Sequence, residues 1–303
     1  MAELILRKTK FTLPSYAKIN LGLHITGKKP DGYHELATIF QQVSLHDLLT
    51  FELLQTKAID IKVNVSELAD PIDNENNLVY KAAKLFLKET KKSLTASIKL
   101  EKKIPIGAGL GGGSSNAAVT LLGLNYALGA PLSIKTLQKL ATQLGADVSF
   151  FLYGGIAYAT GIGDRLELLQ NKFRFTILLL CPNLSISTKW AYSNFRFDAS
   201  ANNRDHALND HIKNTTPFFW RDKLFNDFEK SVFSEYPLLE NLKQSLYASG
   251  AEYASLSGSG STLYGIFTDR ETAKDACADF RSPLQYFMVE PTYWGLRELE
   301  SRN

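Results

Sequence analysis

The sequence predicts an α+β protein of two domains, and three observations carry that expectation. Strand-like and helix-like segments follow one another without the regular βαβ rhythm of a doubly wound sheet. The 303 residues exceed one ordinary domain. Five glycines between Gly107 and Gly113 sit between a strand pattern and a helix pattern, where a flexible linker has no place.

The elements read in order as follows. Residues 16–26 alternate, with Ala17, Ile19, Leu21, Leu23 and Ile25 apolar and Lys18, Asn20, Gly22, His24 and Thr26 between them. Period two predicts a half-buried strand with Lys18 and Asn20 on its less apolar face. Pro30-Asp31-Gly32 signals a turn, and residues 36–45 return as the hairpin partner. Residues 51–65 predict further strand and 78–87 a helix, while 97–104 alternate again up to Pro105. A helix is expected over 114–128, closed by Gly129. A second is expected over 133–144, with Leu137, Leu140, Ala141 and Leu144 on one face and Gly145 as its stop. Residues 150–159 and 173–180 read as strands. The polar stretch 193–216 reads as loops and short helices. Residues 237–248 are helical, 252–267 form a strand–glycine turn–strand unit, and Thr268 with Glu271 makes a capping box for a last helix.

Composition excludes several classes. Hydrophobic residues are 45% and charged residues 21%, ordinary for a chain that builds a sizeable core. No apolar run approaches the roughly 20 residues of a membrane helix, and residues 1–10 carry no secretory pattern. A net charge of +3 suits an anionic small molecule, whereas the scattered, acid-balanced lysines argue against nucleic acid. Cys181 and Cys277 lack ligand spacing and are expected to be structural thiols in a reducing cytoplasm.

The segment from Pro105 through Ile106, Gly107, Ala108, Gly109, Leu110, Gly111, Gly112 and Gly113 to Ser114, Ser115 and Asn116 is the most informative. Its glycines allow tight turns and close approach of backbone N–H groups to a ligand, and the helix that follows directs its dipole there. A phosphate cradle is expected. No lysine follows Gly113, so a Walker loop fails. The bare dinucleotide pattern is present but lies past residue 100 and leads from helix to helix, so a Rossmann reading is weak.

The proline, Gly-Leu-Gly core, small residues and Ser-Ser pair of residues 105–115 resemble the second motif of the GHMP kinases, named for galactokinase, homoserine kinase, mevalonate kinase and phosphomevalonate kinase. Further segments are similar, in order, to the branch that acts on a cytidine diphosphate-linked methylerythritol. They are residues 17–21 and 31–36, Gly145-Ala146-Asp147-Val148 with Phe150 and Phe151, Asn226-Asp227-Phe228-Glu229, Tyr236-Pro237, and the loop Ser257-Gly258-Ser259-Gly260-Ser261. The resemblance implies a two-domain GHMP fold. Its ATP-binding, catalytic N-terminal domain would span 1–164, with a left-handed βαβ crossover that departs from the usual hand. Its C-terminal, substrate-side α/β sandwich would span 165–303. It implies ATP-dependent phosphorylation of the substrate's 2-hydroxyl, with Mg²⁺, in non-mevalonate isoprenoid precursor biosynthesis.

By resemblance, Asp147 is the general base and Lys18 the cation that holds it ionised and supports the developing alkoxide. Asn20 contacts the substrate or Asp147. Tyr33 stacks on the cytosine, His34 bonds its edge, Tyr192 forms a second aromatic wall, and Thr188 lies near the substrate. Asn77 and Lys81 flank the adenine, and residues 105–115 hold the phosphates. The Ser257–Ser261 loop is expected to close over substrate phosphates. Ser149 and Asp164 replace the proline and glutamate common in the family, at positions with no chemical role. No carboxylate cluster is dedicated to a metal. A monomer or weak homodimer is expected, with no membrane partner. The alternatives are another GHMP kinase of homoserine or mevalonate type, or a non-catalytic nucleotide-binding regulator. The presence of Asp147 and Lys18 argues against the regulator, and the Tyr33-His34 turn argues against the other kinases.

Overall fold

The computed structural model describes residues 8–30, 32–66, 75–170, 174–196, 204–280 and 284–295. Asp31 of the expected turn, Phe173 and residues 197–203 of the polar stretch lie outside them.

The first sheet is built around a long hairpin, β1 (Lys8–Lys28) and β2 (His34–Gln55). The two strands pair antiparallel along their whole length, with register shifts at Tyr16/Ala17, Asn20/Leu23 and Ile25/Gly27. The other edge of β2 is shared. Its second half pairs with β4 (Leu94–Glu101), and residues Thr38–Gln41 pair with β5 (Ile156–Thr160). β3 (Asp60–Ser66) lies parallel to β4, connected through α1 (Leu78–Thr90), which is the βαβ crossover of this sheet. β6 (Arg165–Leu168) extends the sheet beyond β5, so the expected division after residue 164 falls just before its last strand.

Helices α1, α2 (Gly112–Ala127), α3 (Ile134–Leu144) and α4 (Val148–Tyr153) cover one face of this sheet. Phe51, Ala96 and Ile98 meet Phe86, Leu121, Leu122 and Phe150 in that core. α2 is buried nearly all round, as expected of a helix at the centre of a core.

The second sheet has the order β10-β7-β9-β8, all antiparallel, from β7 (Thr176–Cys181), β8 (Tyr253–Leu256), β9 (Leu263–Phe267) and β10 (Gln285–Val289). β7 is buried along its length, and apolar after Thr176, because both faces are covered. Ile177, Leu179 and Cys181 join Ala17, Ile19 and Leu21 of β1 in a core between the sheets. Leu178 and Leu180 face helices α5 (Thr188–Asn194), α7 (Glu229–Glu235), α8 (Pro237–Ala248) and α9 (Arg270–Ala276). α6 (Arg204–Asn214) packs against β1 and β2.

Four local expectations need correction. Residues 150–159 are not one strand: α4 takes the first four, and Gly154 and Gly155, at φ +67° and +73°, turn the chain into β5. A short apolar run fits a buried helix as well as a strand, and here packing against α2 and α3 decides. Residues 51–65 break into the end of β2 and β3. Asp269, not Thr268, caps α9 by accepting the Thr272 N–H at 2.7 Å, while the Thr268 hydroxyl donates to Glu252. Residues 17–25 of β1 are buried on both faces rather than half-buried.

Candidate active site

A cavity of about 1290 Å³ opens between the two sheets, lined by the glycine segment, β1, the start of β2, Asp147, α5 and the 258–260 loop. It is large enough for two ligands of ordinary size. Among the described residues, four lysines, Lys18, Lys28, Lys102 and Lys189, line it against one carboxylate, Asp147. Such a surface attracts anions.

The glycine-rich side of the cavity is built by backbone. Gly107, Gly109 and Gly111 take φ of +68°, +79° and +68°. Gly111 is the N-cap of α2 and brings no side-chain cap, so the helix presents its first N–H groups to the cavity beside Gly112, Gly113 and Ser114. Two links hold this loop against its surroundings. The Lys18 N–H donates to the Leu110 carbonyl at 3.0 Å, and the Ser257 hydroxyl donates to the Gly109 carbonyl at 2.9 Å. An added Cβ at Gly109 would lie 2.1 Å from the Ser257 carbonyl oxygen, so the two glycine-rich loops are in backbone contact.

The polar face of β1 turns into this cavity, which explains its burial. Lys18 is 4% exposed. Its ammonium lies 3.5 Å from Asp147 Oδ2 and donates to Asn20 Oδ1 at 2.7 Å, over the Phe40 ring. Asn20 Nδ2 donates to the Thr38 hydroxyl at 2.8 Å, which donates to the Gly22 carbonyl at 2.6 Å. This chain of bonds fixes the amide so that its oxygen faces the lysine. Asp147 stands at the N-cap position of α4 yet makes no capping bond, and its side chain keeps 32% exposure to the cavity. The carboxylate therefore serves the cavity, not the helix.

The aromatic side is formed by His34, stacked on Tyr192 with ring centroids 4.8 Å apart at 17°. Phe228 meets the Tyr192 ring edge-on at 4.9 Å. Burial, and then the Asp147 carboxylate, push the Tyr192 hydroxyl up to about 12. Burial, and then Lys28, hold the His34 imidazole below the ordinary histidine range. Tyr33 lies at the rim and is 63% exposed. Thr188 opens α5, its hydroxyl 3.3 Å from that of Ser259.

The structure thus brings Lys18, Asn20, Tyr33, His34, Asn77, residues 105–114, Asp147, Thr188 and Tyr192 to one cavity. It does not bring Ser115 or Lys81. Ser115 is buried behind the loop, accepting the Ser15 hydroxyl at 2.8 Å, and Lys81 is exposed further along α1. Asn77 caps α1 by accepting the Val79 N–H at 2.9 Å, and its Nδ2 is buried without a hydrogen-bond partner. Sequence reasoning missed Asp47 and Lys102, and it quoted Asn226 only within the 226–229 resemblance, without a role. Asn226 donates to the Leu256 and Gly258 carbonyls at 2.7 and 2.8 Å and accepts the Phe228 N–H at 3.0 Å, joining the 257–261 loop to the aromatic wall. Among the described residues no three His, Cys, Asp or Glu side chains gather as metal ligands, and no helix is long and apolar enough to cross a membrane.

A glycine-rich helix start open to a cavity beside a Lys–Asp pair fits a small-molecule kinase of the GHMP class. Residues 77–155 match the GHMP kinases N terminal domain, and residues 217–285 match the GHMP kinases C terminal domain. The 4-diphosphocytidyl-2-C-methyl-D-erythritol kinase of Chlorobium chlorochromatii (strain CaD3) is 46% identical over 265 residues, 86% of this chain and 89% of that protein. Its counterpart in Chloroherpeton thalassium is 44% identical over 86% of this chain and 91% of its own length. The crystal structure of a 4-(cytidine 5'-diphospho)-2C-methyl-D-erythritol kinase superposes with a TM-score of 0.74 at 31% identity, covering 93% of this chain and 100% of that one. The chain belongs to the 4-diphosphocytidyl-2-C-methyl-D-erythritol kinase family, and it is an ATP-dependent kinase. Homoserine kinase from Cytophaga hutchinsonii, at 18% identity and a TM-score of 0.73 over 97% of both chains, shares the fold.

Proposed function

We propose that this chain transfers the γ-phosphoryl group of ATP to the 2-hydroxyl of 4-diphosphocytidyl-2-C-methyl-D-erythritol, with Asp147 and Lys18 as catalytic residues. The observation that carries the reading is the Lys18–Asp147 pair, 3.5 Å apart, between the uncapped start of α2 and the His34–Tyr192 wall. ATP phosphates sit on the 107–114 backbone, with Asn77 toward the adenine. The cytidine end sits against Tyr33, His34 and Tyr192, with Thr188 and Asn20 along the chain between. The acceptor hydroxyl attacks the γ-phosphorus, its proton passes to the Asp147 carboxylate, and the bond to the β-phosphate oxygen breaks to release ADP. Lys18 stabilises the negative charge that grows on the attacking oxygen. Asn20, locked by Thr38, keeps the ammonium in place. Mg²⁺ would enter with ATP and offset the charge of the transferred phosphoryl group. The place of action is the cytoplasm.

The test is a coupled assay of ADP formation with the diphosphocytidyl substrate, homoserine and mevalonate as acceptors. Turnover with the first alone is expected. Turnover with either of the others and not the first overturns the assignment.

A further inference from the structure

The carboxylate of Asp47 is fully buried and makes four hydrogen bonds, all to the chain on either side of the phosphate loop. Oδ1 accepts the backbone N–H groups of Lys103 at 2.7 Å and Ile104 at 2.8 Å. Oδ2 accepts Lys102 Nζ at 2.5 Å and Asn116 Nδ2 at 3.1 Å. Residues 102–104 lead into the loop, and Asn116 lies one turn into the helix that leaves it. One carboxylate on β2 therefore holds both ends of the segment from Pro105 to Ser115.

The same bonds orient two groups that line the cavity. An ionised carboxylate only accepts, so Asn116 must turn its NH₂ toward Asp47. Its Oδ1 is then left buried with no hydrogen-bond partner. Lys102 is held so that its ammonium lies 3.2 Å from where a Cβ on Gly112 would stand, beside the first residue of α2. Both Asn116 and Lys102 line the same cavity as the glycine loop. A buried acceptor without a partner marks a place where a donor is missing.

We infer that Asp47 is a positioning residue for the nucleotide, acting through Lys102, Asn116 and the spacing of the loop ends, and touching neither substrate. The inference rests on the proposed seat of ATP at residues 107–114. Asp47 lies away from the His34–Tyr192 wall, so its effect is confined to one of the two substrates. In Asp47→Asn the amide oxygen still accepts the Lys103 and Ile104 N–H groups. The new NH₂ faces the Lys102 ammonium, which can only donate, so that bond is lost, while the Asn116 amide can turn to offer its oxygen instead. Losing hydrogen bonds to a charged group corresponds to roughly ten- to hundred-fold in affinity when the loss is felt at the ligand.

The test is steady-state kinetics of Asp47→Asn with each substrate varied in turn, beside thermal unfolding of the same protein. The expected result is a KM for ATP raised about ten-fold or more, with the KM for the cytidine substrate changed less than about two-fold. A purely structural role lowers the melting temperature and moves both KM values together, or neither, and either pattern overturns the inference. If Asp47→Asn does not fold, Asn116→Ala, which removes one link of the clamp, is read by the same criterion. A parent enzyme that turns over without saturating in ATP would defeat the seat of ATP itself, whereas a saturable parent with an unchanged variant defeats only the role of Asp47.

Discussion

The Lys18 ammonium lies 3.5 Å from the Asp147 carboxylate, although 129 positions separate them in the chain (147 − 18). The hairpin holds Lys18 by a backbone bond to Leu110 and a side-chain bond to Asn20, so the pair is tied to the phosphate loop from the lysine side. Removing the charge while keeping most of the stem separates chemistry from packing. Lys18→Met is expected to lower kcat by about 10²- to 10³-fold, with the KM for ATP little changed. Steady-state kinetics on the purified variant checks it, and a kcat within about three-fold of the parent contradicts the role.

Gly109 sits at φ +79°, and a Cβ there would stand 2.1 Å from the Ser257 carbonyl oxygen. Neither backbone can yield without separating the two loops. Gly109→Ala is expected to destabilise the protein by about 2–4 kcal/mol and to raise the KM for ATP. Denaturant unfolding and kinetics on one preparation measure both. Unchanged stability would mean that the loops are not in contact.

Asn226 holds the Leu256 and Gly258 carbonyls and the Phe228 N–H, all buried. Asn226→Ala leaves three backbone groups without that partner and is expected to cost about 2–4 kcal/mol. Because Phe228 packs on Tyr192, the KM for the cytidine substrate should rise as well. Isothermal titration of that substrate, beside chemical unfolding, reads the two effects.

His34 supplies a pH dependence with a definite sign. Its imidazole is held below the ordinary value of 6.5 by burial first and Lys28 second. As pH falls, the unfolded chain takes up the proton before the folded one does. The contribution to stability is therefore complete above pH 6.5 and is lost as pH falls below it. His34→Gln should remove that part of the acid-side loss, which thermal unfolding at a series of pH values between 7.5 and 5 would show as a flatter profile for the variant. The Tyr192 hydroxyl, pushed up to about 12, stays neutral across this window and adds nothing to the slope.

Much of this arrangement was legible in the sequence where a pattern repeats or a motif is dense. The alternation of residues 16–26 marked β1 and put Lys18 and Asn20 on one face, and the glycine segment marked the start of α2. What alternation could not show is that the polar face points into a cavity, because Lys18 and Asn20 are enclosed there by Phe40, Gly111, Asp147 and Gly258, which lie far along the chain. The α4 segment reads as strand because the short apolar run Phe150-Phe151-Leu152-Tyr153 looks alike at either period until α2 and α3 are in place. Asp47 was invisible for a different reason. Its partners are backbone groups and single side chains 55 to 69 positions away, which leave no local spacing to read. Ser115 and Lys81 were assigned from neighbouring motif residues, and helix geometry turned both away from the cavity.

The central claim is that the Asp147 carboxylate accepts the proton of the attacking hydroxyl. Its most direct test is single-turnover ADP formation by Asp147→Asn, with the affinities for ATP and for the diphosphocytidyl substrate measured on the same protein. The expected result is a rate lower by about 10²- to 10⁴-fold with both substrates still bound at near-parent affinity. A variant that keeps its rate while binding both substrates would contradict the account.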